Sequence, residues 1–379
     1  MDIFLTEKHK IVKHSVREFA RREILPIAKE IDEEQRFPWE VIDKMAALGY
    51  FGIQAPKELG GVGMDTVSYI IIIEELSKAS ASLGLCLSVH NSVALYPILK
   101  FGNKSQHEQF VPDLATGKKI GAFCLTEPNA GSDASAIEAT AIKSSDYYIV
   151  NANKAFVTNG GVAQTCLIFA KTDQSAGAKG ISVIIAQKGS VGFVVGEGEN
   201  LSGMRANPVC SIRLNECKID KSNLLGKEGQ GLKIALAALD TGRIGIAAQA
   251  VGIAQGALEE GIKYAKERIQ FNVPIAKHQS IQNMIADMGI QVESARLMVY
   301  RAALLKDMGK PFSKEAAMAK LMASETASRV ADMAVQIHGG YGYSKSYPVE
   351  RYYRDARITR IYEGTSEVHR MVIARSLLA

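Results

Sequence analysis

The segment YYIVNANKAFVTNGGVAQTCLIFAKT, at residues 147–172, decides the organisation of the chain. It consists of short runs of β-branched and aromatic residues separated by Asn and Gly, which is the pattern of β-strands joined by turns. The same texture begins near Ile120 and continues through ISVIIA, GFVV and CSIRL as far as Ile219. We therefore predict an antiparallel β-domain in the middle of the chain, at residues 120–230.

Helical patterns lie on both sides of this domain. On the N-terminal side, turn signals such as the loop Gly60–Gly63 separate helical segments, and Thr66 is expected to cap the helix VSYIIIIEELSKAS. On the C-terminal side, segments 231–267 and 313–338 are predicted helices, and between them apolar residues alternate spacings of four and three, as in helix bundles. The predicted fold is mainly α with a middle β-domain: an N-terminal helical domain at residues 1–119, the β-domain at residues 120–230, and a C-terminal four-helix bundle at residues 231–379.

The composition is that of an ordinary folded chain. Of the 379 residues, 47% are hydrophobic and 22% are charged, which allows a large core in two or three domains. The apolar run Ile70–Ile73 is far shorter than the roughly 20 residues of a membrane span, and MDIFLTEKHK lacks the features of a signal or transit peptide. A net charge of +5 without Lys/Arg-rich runs argues against nucleic-acid binding. We expect a cytoplasmic protein, or a mitochondrial matrix protein if it is a processed eukaryotic one, with no membrane or nucleic-acid partner.

Several chemistries lose their usual support in the sequence. The five cysteines are widely spaced without a C-x-x-C pair, and the histidines lack metal-ligand spacing, so we expect reduced, mostly buried cysteines and no metal site. G-x-G-x-x-G between a strand and a helix, Walker A, H-E-x-x-H and G-x-S-x-G motifs are absent. Nicotinamide, P-loop, zinc-protease and serine-hydrolase interpretations are therefore not favoured.

Two motifs fall in the predicted β-domain. In FCLTEPNAGSD, residues 123–133, main-chain N–H groups and the hydroxyls of Thr126 and Ser132 can donate to an anionic or carbonyl-rich ring system. In KAFVTNGG, residues 154–161, Phe156 beside a hydroxyl could cover and anchor such a ring. Taken alone, the first motif is more often an ordinary loop and the second a hairpin with a core Phe.

Two further motifs lie near the C-terminus. IYEGTSE, residues 361–367, places Glu363 before a glycine that lets a ligand approach the backbone closely. Thr365 or Ser366 can cap the helix that follows, and a plain capping box with Glu367 is the alternative account. QIHGGYGY, residues 336–343, ends a helix, and its alternative account is a glycine-rich C-cap.

Together and in this order, the four motifs resemble the acyl-CoA dehydrogenase family, most closely its short-chain, butyryl-CoA type. ALDTGRIGIAAQAVG at residues 238–252 and ERIQFNVPIAKHQ at residues 267–279 resemble the family's segments after the β-domain, so the resemblance covers the whole chain. It implies a FAD-dependent enzyme in which Glu363 takes the α-proton of an acyl-CoA thioester while FAD accepts a hydride from the β-carbon. Some relatives carry this base on the helix near Asp240 instead, but Gly242 stands at that position here.

The resemblance also implies the binding residues. The flavin or the adjoining thioester would be lined by Phe123, Leu125, Thr126 and Ser132, with Phe156 and Thr158 on the flavin's other side. The FAD pyrophosphate and adenosine would be bound, across a subunit interface, by Arg268, Phe271, Gln279, Gln336, Gly339 and Gly340. Thr365 and Glu367 match FAD-contacting positions, while Ser132, Asp240, Arg243 and Gly364 match positions at the CoA or the acyl thioester. A FAD site shared between subunits implies a homo-oligomer, usually a tetramer.

Two residues depart from the family pattern. Asn272 stands where relatives commonly have Gly after the Arg-x-x-Phe of the FAD segment, which puts the conformation of that loop in question. Phe156 stands where many members shield the flavin with Trp. We expect this second change to be tolerated, because most of the stacking area is kept.

The activity implied by the resemblance is the dehydrogenation of a short-chain acyl-CoA to the trans-2-enoyl-CoA, with electrons passed to an electron-transferring flavoprotein. By the same resemblance, residues 83–96 form the floor of the acyl pocket, and a four-carbon substrate is expected because bulk in this floor shortens the pocket. Glutaryl-CoA is disfavoured, because Gly84 stands where glutaryl-type relatives carry an Arg for the distal carboxylate. His90 in this floor is either a substrate contact or a histidine bonded within the protein. The alternatives are an enoyl-CoA reductase working in reverse within a flavoprotein complex, a dehydrogenase for a cyclic or aryl-substituted acyl-CoA, an oxygen-using oxidase, and a catalytically silent acyl-CoA-binding subunit.

Overall fold

The N-terminal part of the chain is helical. The computed structural model describes residues 5–379, and its first elements are α1 (Glu7–Phe19), α2 (Ala28–Glu33), α3 (Trp39–Ala47), α4 (Thr66–Ala79), α5 (Ala81–Val89), α6 (Tyr96–Phe101) and α7 (Lys104–Ala115). A π-helical segment, His90–Leu95, joins α5 to α6. The Asp65 carboxylate caps α4 by accepting the Ser68 N–H at 2.7 Å. The prediction that Thr66 is this cap is therefore wrong by one residue, because Asp65 has the extended backbone of a cap and Thr66 is already helical.

The middle part is an eight-stranded sheet. Its strands are β1 (Gly121–Cys124), β2 (Thr140–Lys143), β3 (Tyr147–Val157), β4 (Thr165–Lys171), β5 (Ile181–Gln187), β6 (Phe193–Gly198), β7 (Cys210–Asp220) and β8 (Leu224–Leu225). They follow the order β6-β7-β3-β2-β4-β5-β8, and β1 pairs with β4. The pairings β1–β4 and β2–β4 are parallel and the others are antiparallel. The sheet is therefore mixed rather than purely antiparallel, because strand patterns are local whereas strand direction depends on the path of the connecting chain.

The C-terminal part is built on three long helices. The elements are α8 (Gly231–Glu267), β9 (Ile269–Gln270), β10 (Val273–Pro274), α9 (Gln279–Asp307), α10 (Ser313–His338), α11 (Val349–Ile358) and α12 (Ser366–Leu378). The predicted helices 231–267 and 313–338 coincide with α8 and α10. α8, α9 and α10 pack against one another, and α4 packs on α8 and α9, so the N- and C-terminal helices share one hydrophobic core. A β-carbon added to Gly252 of α8 would lie 2.4 Å from the Glu74 carbonyl oxygen of α4, which shows how closely these helices approach.

The central strands β4 and β5 are buried on both faces. Leu167 and Phe169 of β4 face a core shared with α7 and α8, whereas Cys166 and Ile168 face a second core on the other side of the sheet. Continuous apolar runs are expected for strands covered on both sides. All five cysteines are free and buried, as predicted.

Two helical stretches are long and apolar enough to cross a membrane, judged by length and composition alone. Neither contains the apolar run Ile70–Ile73. They are residues 81–101 and Gly231–Glu267, and 89% and 78% of their most apolar windows are buried inside the protein. Such burial is typical of core helices, and the same helices position the site described below.

Candidate active site

Glu363 lies in the loop between α11 and α12. Its backbone φ is +51°, and that of Gly364 is +98°. The left-handed region is unfavourable for a residue with a side chain, and such a conformation persists only when the surroundings hold it in place. The loop must therefore be fixed by contacts from the helices beneath it.

Side chains of α8 and α10 supply these contacts. The Lys320 ammonium donates to the Gly364 carbonyl at 2.7 Å, and the Tyr362 hydroxyl donates to Oε1 of Gln249 at 2.5 Å. The Glu325 carboxylate accepts from both ends of the loop, from Arg360 Nε at 3.1 Å and Ser366 Oγ at 2.9 Å. The main chain at Glu363 is thus held from two helices.

The loop also ends in a helix cap. The Thr365 hydroxyl accepts the Val368 N–H at 3.3 Å, which confirms Thr365 as the cap of α12. Glu367 occupies the second helical position, not the third, and its side chain is exposed. A capping box needs the acidic residue at the third position, so this alternative account of the motif is wrong.

The Glu363 carboxylate is buried without a hydrogen-bond partner. Within residues 5–379, neither Oε1 nor Oε2 has a partner, and both are shielded from solvent. The carboxylate packs against α8 at Gly242. Burial raises the pKa of Glu363 to about 7, although the positive charges of Lys320 and Arg243 act in the opposite direction. A shielded carboxylate with free oxygens and a pKa near neutrality has the properties of a general base.

Asp240 and Arg243 lie on the same turn of α8 as Gly242. Arg243 Nη1 donates to Asp240 Oδ1 at 2.6 Å, and the Ser313 hydroxyl donates to the same oxygen at 2.9 Å. The Arg243 side chain is only 6% exposed, and its Nε has no partner within the described residues. Of the residues predicted to contact CoA and the thioester, the structure therefore brings Asp240, Arg243 and Gly364 together with Glu363, whereas Ser132 lies in the β-domain.

A second group of predicted residues surrounds the ends of β1 and β3. The Ala155 N–H donates to the Thr126 carbonyl at 3.0 Å, which joins the two motifs of the β-domain. Phe156 has a φ of +51° and is 62% exposed, so the alternative of a hairpin with a core Phe is wrong. Thr126 and Thr158 are half-buried and Ser132 is exposed.

The other two residues of this group are less open. The Leu125 side chain is buried in the core, so only its main chain is available to a cofactor. The half-buried Phe123 ring packs on Phe169 with 4.7 Å between ring centroids. Phe123 can thus offer only part of its ring to a ligand.

A buried ion pair that the sequence patterns do not reveal supports this group. Lys154 Nζ donates to Glu127 Oε1 at 2.6 Å and to the Leu125 carbonyl at 3.1 Å. The Glu127 carboxylate also accepts the N–H groups of Glu138 and Ala139 at 2.5 and 3.1 Å. One feature of the sequence could have indicated a buried lysine. Lys154 follows Ala152 by two residues in a strand, so both side chains lie on the inward face of β3.

A third group lines an open cleft of about 860 Å³ beside the β9–β10 hairpin. Of the predicted FAD residues, the lining includes Arg268, Phe271, Gly339 and Gly340, while Gln279 and Gln336 are exposed at neighbouring helix ends. A β-carbon on either Gly339 or Gly340 would meet nothing within 4 Å, so the cleft is open there. Neither Glu363 nor Phe156 lines this cleft, so the third group is separate from the other two within one subunit.

The hairpin resolves the question raised by Asn272. Phe271 and Asn272 have φ values of +52° and +67°, as in a two-residue turn with both central residues left-handed. Asn tolerates this region better than most residues other than Gly. The departure from the family's Gly is therefore compatible with the turn.

The predicted pocket floor contains polar side chains that are bound by the protein itself. His90 Nδ1 accepts the Gly121 N–H at 3.0 Å, and its Nε2 lies 3.1 Å from the Leu114 carbonyl. Asn91 donates to the carbonyls of Tyr50 and Leu87, both at 3.0 Å. Burial lowers the pKa of His90 to about 4, so the ring is neutral. His90 is thus a histidine bonded within the protein.

Gly84 faces α4 closely. A β-carbon there would lie 1.9 Å from Ser77 Oγ, so a larger side chain at this position would require the Ser77 side chain to move. Tyr69 and Ser88, two buried residues that the sequence patterns do not single out, pair through their hydroxyls at 3.0 Å beside Gly245. The charge of Glu363 also raises the pKa of Tyr69, after the larger effect of burial, so this hydroxyl pair lies near the carboxylate.

Family models match three consecutive parts of the chain. The acyl-CoA dehydrogenase N-terminal domain matches residues 6–118, the middle domain matches residues 122–217, and the C-terminal domain matches residues 229–378. Together these matches cover most of the chain.

Three curated relatives match over nearly the whole length. The chain is 50% identical over 374 residues to the short-chain specific acyl-CoA dehydrogenase of Clostridium acetobutylicum, with 99% of each chain covered. It is 49% identical to the acryloyl-CoA reductase (NADH) of Anaerotignum propionicum, covering 100% of this chain and 96% of the relative. It is 47% identical to the 3-(aryl)acrylate reductase of Clostridium sporogenes, covering 99% and 100%.

Two solved structures share the fold. Butyryl-CoA dehydrogenase from Megasphaera elsdenii superposes with a TM-score of 0.97 at 44% identity, with 99% of both chains covered. A chain in a structure of the electron transferring flavoprotein of Acidaminococcus fermentans, solved to study flavin-based electron bifurcation, superposes with a TM-score of 0.98 at 48% identity over 100% of both chains. The chain belongs to the acyl-CoA dehydrogenase family.

Proposed function

We propose that this protein catalyses the FAD-dependent α,β-dehydrogenation of a short-chain acyl-CoA to the trans-2-enoyl-CoA and passes the electrons to an electron-transferring flavoprotein. The observation that carries this function is the Glu363 carboxylate, shielded from solvent and free of hydrogen bonds beside Gly242. The short-chain relative supports the substrate class, and the Acidaminococcus fermentans structure supports the electron-transfer partner.

Glu363 acts as the general base. An α-proton beside a thioester is weakly acidic, so its removal needs an adjacent base and stabilisation of the oxygen on which charge develops. Because neither carboxylate oxygen has a partner among the described residues, no hydrogen bond to that part of the protein must break before proton transfer. We assign the stabilisation of the developing oxyanion to the Glu363 main-chain N–H, which the left-handed loop orients.

The residues present fit FAD. Phe156 offers an exposed aromatic face beside the hydroxyls of Thr126 and Thr158, which suits a planar ring system. The cleft at Arg268 combines a guanidinium group with the open main chain of Gly339 and Gly340, which suits a pyrophosphate. Members of the family are FAD-dependent, and FAD supplies the hydride acceptor when bound.

We propose a homo-oligomer, and a tetramer by resemblance to the family; the separation of the two sites supports a shared arrangement. The Arg268 cleft does not include Phe156 or Glu363, so we assign the cleft to the FAD of a neighbouring subunit. We place the three domains at residues 1–119, 120–230 and 231–379, and the enzyme in the cytoplasm, or in the mitochondrial matrix if it is a processed eukaryotic protein.

A second candidate function is the reverse reaction, reduction of an enoyl-CoA. The relatives named acryloyl-CoA reductase and 3-(aryl)acrylate reductase are 49% and 47% identical to the chain. The same base would then act as the acid that protonates the α-carbon, because the two directions share one transition state. The site geometry is compatible with either direction.

The test is the visible spectrum of the purified protein, followed by anaerobic addition of butyryl-CoA to the wild type and to Glu363→Gln. The wild type should be yellow and should bleach with butyryl-CoA. Glu363→Gln should stay yellow and bleach about 100- to 10,000-fold more slowly, which is the usual cost of losing a general base. A colourless protein would favour the silent binding subunit, and peroxide formed in air would favour the oxidase. Bleaching only by an electron donor, followed by recolouring with crotonyl-CoA, would favour the reductase.

A further inference from the structure

Lys320 is a buried cation in an otherwise apolar stripe. It lies on α10 between Ala316, Ala323 and Ala327, which are all fully buried, and its own side chain is 0% exposed. Removing an ammonium group from water is costly unless it is paired. Within residues 5–379, however, Lys320 forms no direct ion pair, and its hydrogen bond is to the neutral carbonyl of Gly364 at 2.7 Å. A core packing role alone would be served better by an apolar residue.

The acceptor is the residue that follows Glu363. The Gly364 carbonyl belongs to the left-handed stretch formed by Glu363 and Gly364, and Lys320 holds it from the rigid interior of a 26-residue helix. The main-chain turn at Gly364 sets the direction of the preceding side chain. The hydrogen bond therefore constrains where the Glu363 carboxylate lies.

The charge of Lys320 also acts on this carboxylate. Glu363 is faced by two cations, Lys320 of α10 and Arg243 of α8, and by the phenols of Tyr69 and Tyr362. Arg243 is already paired with Asp240 at 2.6 Å. Of these two cations, Lys320 is therefore the one that forms no direct ion pair with a carboxylate within residues 5–379.

Other titratable groups surround the ammonium itself. Burial lowers the pKa of Lys320 to about 7; Glu363, Glu325 and Glu367 oppose this shift, and Arg243 adds to it. His369 of α12 also faces the pair, and burial lowers the pKa of its imidazole to about 3, so it stays neutral. Among these charges, the Lys320 ammonium and the Glu363 carboxylate act most strongly on each other.

We propose that Lys320 is a positioning residue for the reaction: its ammonium fixes the Gly364 carbonyl and so aims Glu363, and its charge favours the ionised, proton-accepting form of that carboxylate. This inference rests on the proposed role of Glu363 as the base. The hydrogen bond and the charge are separable contributions, because one depends on geometry and the other on the net charge of the side chain.

Two substitutions separate them. Lys320→Gln keeps a donor for the Gly364 carbonyl and removes the charge, whereas Lys320→Met removes both. Loss of the charge should raise the pH at which butyryl-CoA bleaching reaches half its maximum in each variant, since a nearby opposite charge favours the ionised carboxylate. The rise should be smaller than the shift of about 1–3 units that a permanent charge produces, because the pKa of Lys320 is itself lowered to about 7. Only Lys320→Met should also lower the plateau rate, by about 10-fold or more, because a base misplaced by about 1 Å can cost about 100-fold.

A second measurement does not depend on turnover. Infrared difference spectra of the FAD-loaded protein across a pH series would follow the protonated carboxyl band of Glu363, assigned by its loss in Glu363→Gln. The midpoint of this band should rise in both Lys320 variants. Lys314→Met, on the same helix but partly exposed and paired with Glu315, is the matched control and should shift neither the band nor the bleaching profile.

The outcomes distinguish this inference from the proposed function. If Glu363→Gln bleaches at the wild-type rate, the assignment of the base fails whatever Lys320 does. If Glu363→Gln is inactive while both Lys320 variants keep the wild-type band midpoint and pH profile, the Lys320 inference is overturned and the base stands. Should Lys320→Met fail to fold, Lys320→Gln alone carries the test of charge, and an unchanged midpoint there is sufficient to reject it.

Discussion

A β-carbon added to Gly242 would lie 2.2 Å from Oε2 of Glu363. The carboxylate and α8 therefore meet at a point where no side chain fits. Gly242 is also the position at which some relatives are expected to carry their base. The contact gives a physical reason why the site can hold a carboxylate at position 363 of the loop or at position 242 of α8, but not at both.

Gly242→Ala should displace the Glu363 carboxylate and slow bleaching by butyryl-CoA about 10-fold or more. The helix itself should not suffer, because Ala is a better helix former than Gly by about 1 kcal/mol. Stopped-flow bleaching and FAD content would be measured together. Gly261→Ala, on the same helix, is the matched control, since its added β-carbon would meet its nearest neighbour at an ordinary 3.5 Å. Equal rates in the two variants would contradict the tight contact.

Glu363→Gln should alter how stability depends on pH. Burial raises the pKa of Glu363 from 4.5 to about 7, so the folded protein retains a proton that the unfolded chain releases between these values. The contribution of Glu363 to the free energy of unfolding is therefore full below about pH 4.5 and is lost as pH rises through 7, by on the order of 3 kcal/mol. The amide has no such loss.

Thermal unfolding at about pH 5 and pH 8 checks this direction. The Tm of the wild type, relative to that of Glu363→Gln, should be lower at the higher pH. A Tm difference that stays constant between the two pH values would mean that Glu363 titrates as in the unfolded chain. The FAD content must be matched, because a bound ligand stabilises the folded state by mass action.

The Glu127–Lys154 pair should be required for the loop that carries Thr126. Both side chains are 5% exposed or less, and removing one partner of a buried ion pair typically costs about 3–5 kcal/mol because the other charge is left unpaired. Glu127→Gln and Lys154→Met should therefore each lower stability and FAD retention.

The double variant Glu127→Gln/Lys154→Met should lose less stability than the sum of the two single variants, since no unpaired charge remains. Chemical denaturation and FAD content after gel filtration would measure both effects. Additive losses in the double variant would show that the pair is not coupled. Lys143→Met, which removes an exposed ion pair with Glu228, is the control and should change stability by about 1 kcal/mol or less.

The preferred substrate should be a four-carbon acyl-CoA. The predicted floor is a tightly packed helix in which His90 and Asn91 are bound by the protein, so their polarity is not available to a substrate ring or carboxylate. Each methylene forced into a filled pocket should cost on the order of 1 kcal/mol. Specificity constants for butyryl-, octanoyl-, glutaryl- and a cyclic or aryl-substituted acyl-CoA would decide, and a maximum at eight carbons or at the ring substrate would reject this assignment.

Local patterns were sufficient for much of the fold and part of the site. The spacing of apolar residues predicted a helix between His278 and Gly309, where the structure has α9, because helix periodicity is set within a few turns of chain. The predicted helices 231–267 and 313–338 coincide with α8 and α10. The motif around Glu363 was recognisable for the same reason, since its glycine and its cap at Thr365 are neighbours in sequence. The cap of α4 was misplaced by one residue because Asp65 and Thr66 are both acceptable caps.

The tertiary structure alone decided the features that join distant residues. Lys320 meets the carbonyl of Gly364 44 residues away, Glu127 meets Lys154 27 residues away, and β1 runs parallel to β4. Nothing in a local pattern encodes such pairs, because their proximity depends on the path of the whole chain. Local sequence patterns thus determined the helices and the motif that carries Glu363. The dry environment that raises the pKa of Glu363 was created only when α8 and α10 packed around it.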